Sequence, residues 1–205
     1  MSFRSSGVAK AGCPSIFSPM NTQAQLTWWD AARPWTETFD ALQDKRDIWE
    51  ANLRRAKVRP QEAARLAALP GPRRVLVLTE DWCGDAARSV PGLAAALDGV
   101  SGVELRCLDS DNHPAAIDGY LTHGGRAIPM VIVYDELGHE LGAWGPRPAP
   151  LQALLRERLA TEGSPTDAES KAAFYAPIMA WYSKDRGVTV LQEVLMLLER
   201  GGMAR

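Results

Sequence analysis

A cysteine at a strand-to-helix junction with carboxylates on both sides is the place in this chain where residue types and spacing could do covalent chemistry. In "VLVLTEDWCGDAARSVP", residues 75–91, an apolar run gives way to Trp82-Cys83-Gly84 and then to an alanine-rich helical pattern. Unsatisfied N–H groups and the positive end of a helix dipole favour a thiolate at such a junction. Cys83 is therefore expected to have a depressed pKa and to act as a nucleophile. A Cys-X-X-Cys redox pair would need a second cysteine at position 86, where Ala86 stands. Release of a mixed disulfide by intramolecular attack is then closed to Cys83.

Asp85 has two readings. It could take a proton or hydrogen bond from the cysteine, or it could be an acidic residue stabilised at a helix N-terminus, and in either case its charge raises the cysteine pKa. Glu80 and Asp81 read as solvated, or paired with a nearby arginine. Of the other cysteines, Cys107 in "VELRCLD" reads as a buried small hydrophobe and Cys13 lies near the N-terminus. Neither is expected to resolve a disulfide on Cys83. A small thiol such as glutathione, or a partner's cysteine, is the expected second thiol. His113, His123 and His139 have no metal-ligand spacing, so no metal is expected.

The elements that must position these residues follow from pattern. From Arg73 onward strand and helix alternate: "RRVLVLT", "AARSVPGLAAAL", "GVELRCLDS", "HPAAIDGYLTHGG", then "MVIVYD" and "HELGAWG" as a hairpin. This is a β-α-β-α-β-β order and an α/β core over residues 73–147. Before it, residues 21–72 read as a helical extension: one long amphipathic helix at about 34–57, then "QEAARLAALPGP", closed by Pro70-Gly71-Pro72. After it, residues 148–205 read as helical, with Pro177 expected to kink or divide the middle helix. Residues 1–20 read as a flexible tail.

Composition narrows the function classes. Twenty-three basic against 25 acidic side chains give a net charge of -2, which offers no field for a phosphate backbone or an anionic membrane. The longest apolar runs fall far short of the ~20 residues that span a bilayer, and the first twenty residues lack the apolar centre of a signal peptide. Three cysteines in an odd set argue against a disulfide framework, and a reducing, cytoplasmic setting fits them.

Residues 73–147 resemble the thioredoxin superfamily. "WCGDA" stands where thioredoxins carry Trp-Cys-Gly-Pro-Cys, Pro91 matches the proline of the active-site helix, and "GGRAIPM" matches the segment that holds the family's cis-proline. The likeness extends from about Trp28 to Leu198 for a bacterial group of thioredoxin family proteins with a single-cysteine "TEDWCGD" motif and "WGPRP" and "WY-KD-G" segments, which here read "WGPRPAP" and "WYSKDRG". The resemblance implies a thioredoxin-like fold, a central mixed sheet flanked by helices, with helical extensions at both ends. It implies a cis Ile128–Pro129 bond and a substrate surface formed by Trp82, Gly84, Arg126, Ile128 and Pro129 beside Cys83. Arg126 in this place could stabilise the thiolate, grip a substrate carboxylate such as that of glutathione, or pair with Asp81 or Asp85. Arg147 reads as a structural hinge or a fixed ion pair. Besides Ala86, the sequence departs from the family at Val77, where thioredoxins have a buried aspartate that assists proton transfer.

Three functions compete. A monothiol thiol-disulfide oxidoreductase would use Cys83, with Asp85 assisting, an external thiol completing the cycle and no bound cofactor. A non-catalytic binding module would use the cis-proline face and the helical extensions to hold a protein or peptide. A peroxide-reducing or redox-sensing cysteine ranks last, because no Thr-X-X-Cys constellation is present.

Overall fold

Apolar residues on both faces of one strand organise the molecule. The computed structural model describes residues 22–201, with side chains from residue 26 onward; Cys13 and the tail at 1–20 lie outside the described residues. Strand β2 (Arg73–Thr79) sends Val75 and Val77 to one core cluster and Leu76 and Leu78 to another, and all four are fully buried. A strand covered on both faces reads as a continuous apolar run, as "VLVL" does. It pairs in parallel with β3 (Val103–Asp109) and antiparallel with β4 (Met130–Tyr134), which pairs antiparallel with β5 (Glu140–Trp144). With β1 (Arg33–Pro34), antiparallel to β3, the five strands lie in the order β1-β3-β2-β4-β5.

One face of this mixed sheet carries α3 (Arg46–Arg55), α5 (Ala86–Leu97) and α9 (Val188–Leu198). The other carries Trp29 of α1 (Thr22–Ala31), Ile117 of α6 (Pro114–Asp118) and Tyr120. Helices α7 (Ala149–Glu162) and α8 (Ala168–Asp185) form a smaller cluster through Leu151, Leu155, Phe174, Ile178 and Tyr182.

Two local expectations are corrected. The long helix expected at about 34–57 is instead β1, α2 (Trp35–Asp40) and α3, with a break at 41–45 where Lys45 adopts a left-handed φ of 49°. The break is stabilised from outside the segment, since the Asp81 carboxylate accepts from the backbone N–H groups of Gln43 (3.0 Å) and Asp44 (3.1 Å). Pro177 does not divide α8, which runs unbroken from Ala168 to Asp185. Ala173, whose carbonyl loses its i+4 donor, and Pro177 are both exposed, so water can take up the freed acceptor.

Polar groups tie α9 to the sheet and the N-terminal flank to α9. The buried Arg73 guanidinium donates to the carbonyls of Leu198 (2.7 Å) and Arg200 (2.9 Å), which satisfies acceptors left open where α9 ends. Helix α4 (Pro60–Ala67) carries Glu62, only 1% exposed, which accepts from Arg59 Nε and from Gln192 of α9. The Arg59 hydrogen bond outweighs the burial that opposes it and holds the Glu62 carboxyl at about 2.

A depressed carboxyl contributes stability that is present above its unfolded pKa of about 4.3 and is lost as pH falls towards the folded value. Urea unfolding should therefore find Glu62→Gln less stable than wild type at pH 5, with the difference shrinking steadily down to about pH 2. A constant difference across that range would show that Glu62 is not held ionised.

Candidate functional site

Cys83 sits in the loop between β2 and α5, and partners from several elements hold that loop along its length. Glu80 Oε1 accepts from Ser110 Oγ (2.8 Å) and the Asp111 N–H (2.7 Å). The Asp81 carbonyl accepts from Trp49 Nε1 at 3.0 Å, while its carboxylate holds the break before α3. Lys45 Nζ donates to the Trp82 carbonyl, and Arg88 Nη1 donates to that of Gly84 at 2.7 Å. Neither Glu80 nor Asp81 pairs with an arginine among the described residues. Their carboxylates instead satisfy backbone donors and a serine hydroxyl.

Asp85 is the most heavily engaged residue of the loop. Its Oδ2 lies 2.5 Å from Arg147 Nη2, and its Oδ1 accepts from the Tyr182 hydroxyl at 2.9 Å. Arg147 therefore makes the fixed ion pair, and its position has a clear cause. Trp144 Nε1 (2.6 Å) and the Ala149 N–H (3.0 Å) both donate to Glu193 of α9, which fixes the two ends of the connection that bears Arg147. Gly145, at φ 145°, lies so close to Pro129 that a Cβ there would overlap the Pro129 carbonyl oxygen. The peptides Ile128–Pro129 and Gly145–Pro146 are both cis.

The thiol lies between two backbone groups. Its S–H donates to the Ile128 carbonyl at 3.5 Å, and the Ala86 N–H at the start of α5 donates to the sulfur at 3.5 Å. Cys83 is only 6% exposed and packs within the larger core cluster. The expected depression of its pKa is corrected: the pKa is raised. Burial is the largest cause, and the Asp85 charge adds to it. The Ala86 and Asp85 amides and the Arg147 guanidinium pull the other way without overcoming it. Cys107, 3% exposed, is pushed by burial up to about 12. Val77, where an aspartate could have carried protons, is fully buried and apolar.

Three of the other sequence-predicted residues, Trp82, Arg126 and Ile128, share one cavity. Trp82 is 47% exposed, and its Nε1 lies 3.4 Å from Asp111 Oδ2. Trp82, Asp111, Ile117, Arg126 and Ile128 line a cavity of about 220 Å³, with Ser110 and Ala127. Arg126 pairs with neither Asp81 nor Asp85; it holds Asp118 bidentately at 2.6 and 2.8 Å on the rim. That pair draws the Asp118 carboxyl below its usual range. Pro129 is buried behind Ile128, and Gly84 is half-buried beside the Arg88 guanidinium. Among the described residues no group of His, Cys, Asp and Glu side chains could hold a metal. His113 faces the Asp109 carbonyl and His139 faces the Asp135 carboxylate.

Sequence reasoning missed Tyr182 and Lys45 as neighbours of the loop. "WYSKDRG" was visible as a segment, but only the docking of α8 places its tyrosine on Asp85.

A thioredoxin family model matches residues 33–164. The chain belongs to the thioredoxin family. No curated protein matches it. A solved protein of unknown function from Pseudomonas aeruginosa is similar, with a TM-score of 0.65 and 19% identity over 84% of this chain and 95% of that one. An HIV epitope-scaffold is also similar, with a TM-score of 0.54 and 21% identity over 83% of this chain and 100% of that one. At these identities the likeness is one of fold. It agrees with a thioredoxin-like α/β sheet carrying extra helices.

The charges around Cys83 make opposite predictions for two variants. Asp85→Asn removes a repelling carboxylate and frees Arg147, so the midpoint of the pH dependence of Cys83 alkylation should fall. Arg147→Gln removes the attracting cation, so the midpoint should rise. A shift in the same direction for both would overturn this electrostatic account.

Proposed function

We propose that this thioredoxin-family protein performs thiol-disulfide exchange as a monothiol, with Cys83 as nucleophile and an external thiol as the resolving partner. The observation that carries the reading is the placement of the Cys83 sulfur between the Ala86 N–H and the Ile128 carbonyl, beside an exposed tryptophan and a cavity. The amide favours the thiolate once the proton has left. In the first step the Cys83 thiolate attacks a substrate disulfide, forms a mixed disulfide and expels one substrate thiolate. In the second, a thiolate such as that of glutathione attacks the substrate sulfur of the mixed disulfide and Cys83 leaves as thiolate; the attacking thiol is oxidised into the new disulfide, and the substrate thiol expelled in the first step is the reduced product. No bound cofactor is required. A reducing cytoplasm would supply the thiol, and among the described residues no helix is long and apolar enough to cross a membrane.

In this reading Trp82, Arg126 and Ile128 present the substrate surface at the cavity, and half-buried Gly84 and buried Pro129 contribute backbone rather than side chain. Arg126, on the rim of the cavity and already paired with Asp118, meets a substrate carboxylate only by exchanging partners. Asp85 is unsuited to free proton transfer while Arg147 and Tyr182 hold both of its oxygens. Its role is electrostatic, opposing ionisation of the thiol at rest.

The raised pKa favours a second reading, a binding module that holds a peptide against the Ile128–Pro129 face without turnover. The two part on one experiment, done in a Cys13→Ser, Cys107→Ser background. Incubation with glutathione disulfide should give one glutathione adduct on Cys83 by mass spectrometry, formed faster as pH rises and removed by added glutathione. The further change Cys83→Ser should abolish it. No adduct at any pH at which the fold persists, with peptide binding unchanged by Cys83→Ser, would overturn the exchange reading in favour of the module.

A further inference from the structure

On the α5 side of the Cys83 loop a groove of about 190 Å³ opens between α3, α5 and α8, lined among others by Asn52, Arg55, Arg88 and Ser183. A small adjoining lobe shares these residues and adds Arg186. Arg55 and Arg88 line the groove and Arg186 joins them in the lobe, so three arginines from the ends of α3, α5 and α8 meet there. Among the described residues the side chains of Arg55 and Arg186 take part in no hydrogen bond or ion pair, and the Arg88 guanidinium spends only Nη1, on the Gly84 carbonyl. The Ser183 hydroxyl is also without a partner among the described residues.

Opposing charge is scarce. Asp47 lines the groove but lies in the first turn of α3, eight residues and about 12 Å of helical rise from Arg55. The Asp185 carboxylate next to Arg186 is taken up by the backbone and hydroxyl of Thr189, and that of Asp85 by Arg147 and Tyr182. Arg55 in the last turn of α3 and Arg186 at the C-cap of α8 complement their own helix dipoles. That accounts for their positions along each helix. It does not account for both lining the lobe that Arg88, in the first turn of α5, also lines.

We propose that this groove binds a phosphoryl group. A planar carboxylate, with one charge and two oxygens, fits a single guanidinium fork, whereas a tetrahedral dianion offers oxygens to several forks at once and matches the charge gathered here. The occupant would touch the back of the Cys83 loop through Arg88, which holds Gly84, and lie against Tyr182, which holds Asp85. The site does not depend on the thiol reading.

Isothermal titration at fixed ionic strength tests it, with inorganic phosphate and phenyl phosphate as probes and chloride as control. Wild-type protein and Cys83→Ser should bind phosphate saturably at one site, and Arg55→Gln/Arg186→Gln should bind at least about ten-fold more weakly with unchanged circular dichroism. Tighter binding of the ester would identify a phosphorylated organic molecule as the source, and equal binding the free ion; either supports the site. If the double variant loses its fold, the single change of exposed Arg186 takes its place and should weaken binding measurably. No saturable binding of either probe, or undiminished affinity in the folded variants, would overturn it.

Discussion

A polar loop at the end of a buried strand must find partners for its backbone and its carboxylates, and much of this molecule is arranged to supply them. Residues 80–85 bring Glu80, Asp81 and Asp85 to the edge of the core. Trp49 and Lys45 answer from the N-terminal segment, Ser110 and Asp111 from the end of β3, Arg147 from the connection after β5, and Tyr182 from α8. The flanking helices are thus more than covers for the sheet. They supply the donors that let an acid-rich loop sit beside a buried sulfur.

That arrangement sets the character of the thiol. A helix N-terminus alone would lower the Cys83 pKa, as would Arg147, but both act on a group taken almost wholly out of water. The desolvation of a thiolate exceeds the pull of the Ala86 and Asp85 amides and of one cation already committed to Asp85. The resting group is therefore a protonated thiol donating to Ile128. Any event that wets the site, or draws Asp85 away, moves the balance towards the thiolate.

The strands of the core were legible because "VLVL" and "MVIVY" are short apolar runs, "VELRCLD" alternates apolar with polar residues over most of its length, and Pro and Gly bracket them. The helical break at 41–45 was not. Its cause is a carboxylate 37 or more residues away, which no local pattern records. At the site, Cys83, Asp85 and the Ile128–Pro129 face came from one motif and one resemblance. The sign of the pKa shift was misread because burial is a property of packing and a helix start is a property of sequence. Arg147 was readable as a fixed pair, but its partner emerged only from the fold. Tyr182 lay in a segment noticed for its residues and left without a role.

The clamp on Asp85 also has a temporal side. Tyr182 follows Asp85 by 97 residues, so at ~5–20 residues per second a ribosome delivers the tyrosine about 5–20 s after the carboxylate it will hold. In the later part of that interval, once β5 has been made, the sheet can assemble while the cysteine loop still lacks its last donor. A nascent chain therefore passes through a stage in which its thiol is less well sealed than it will ever be again, and the C-terminal helices end that exposure when they dock.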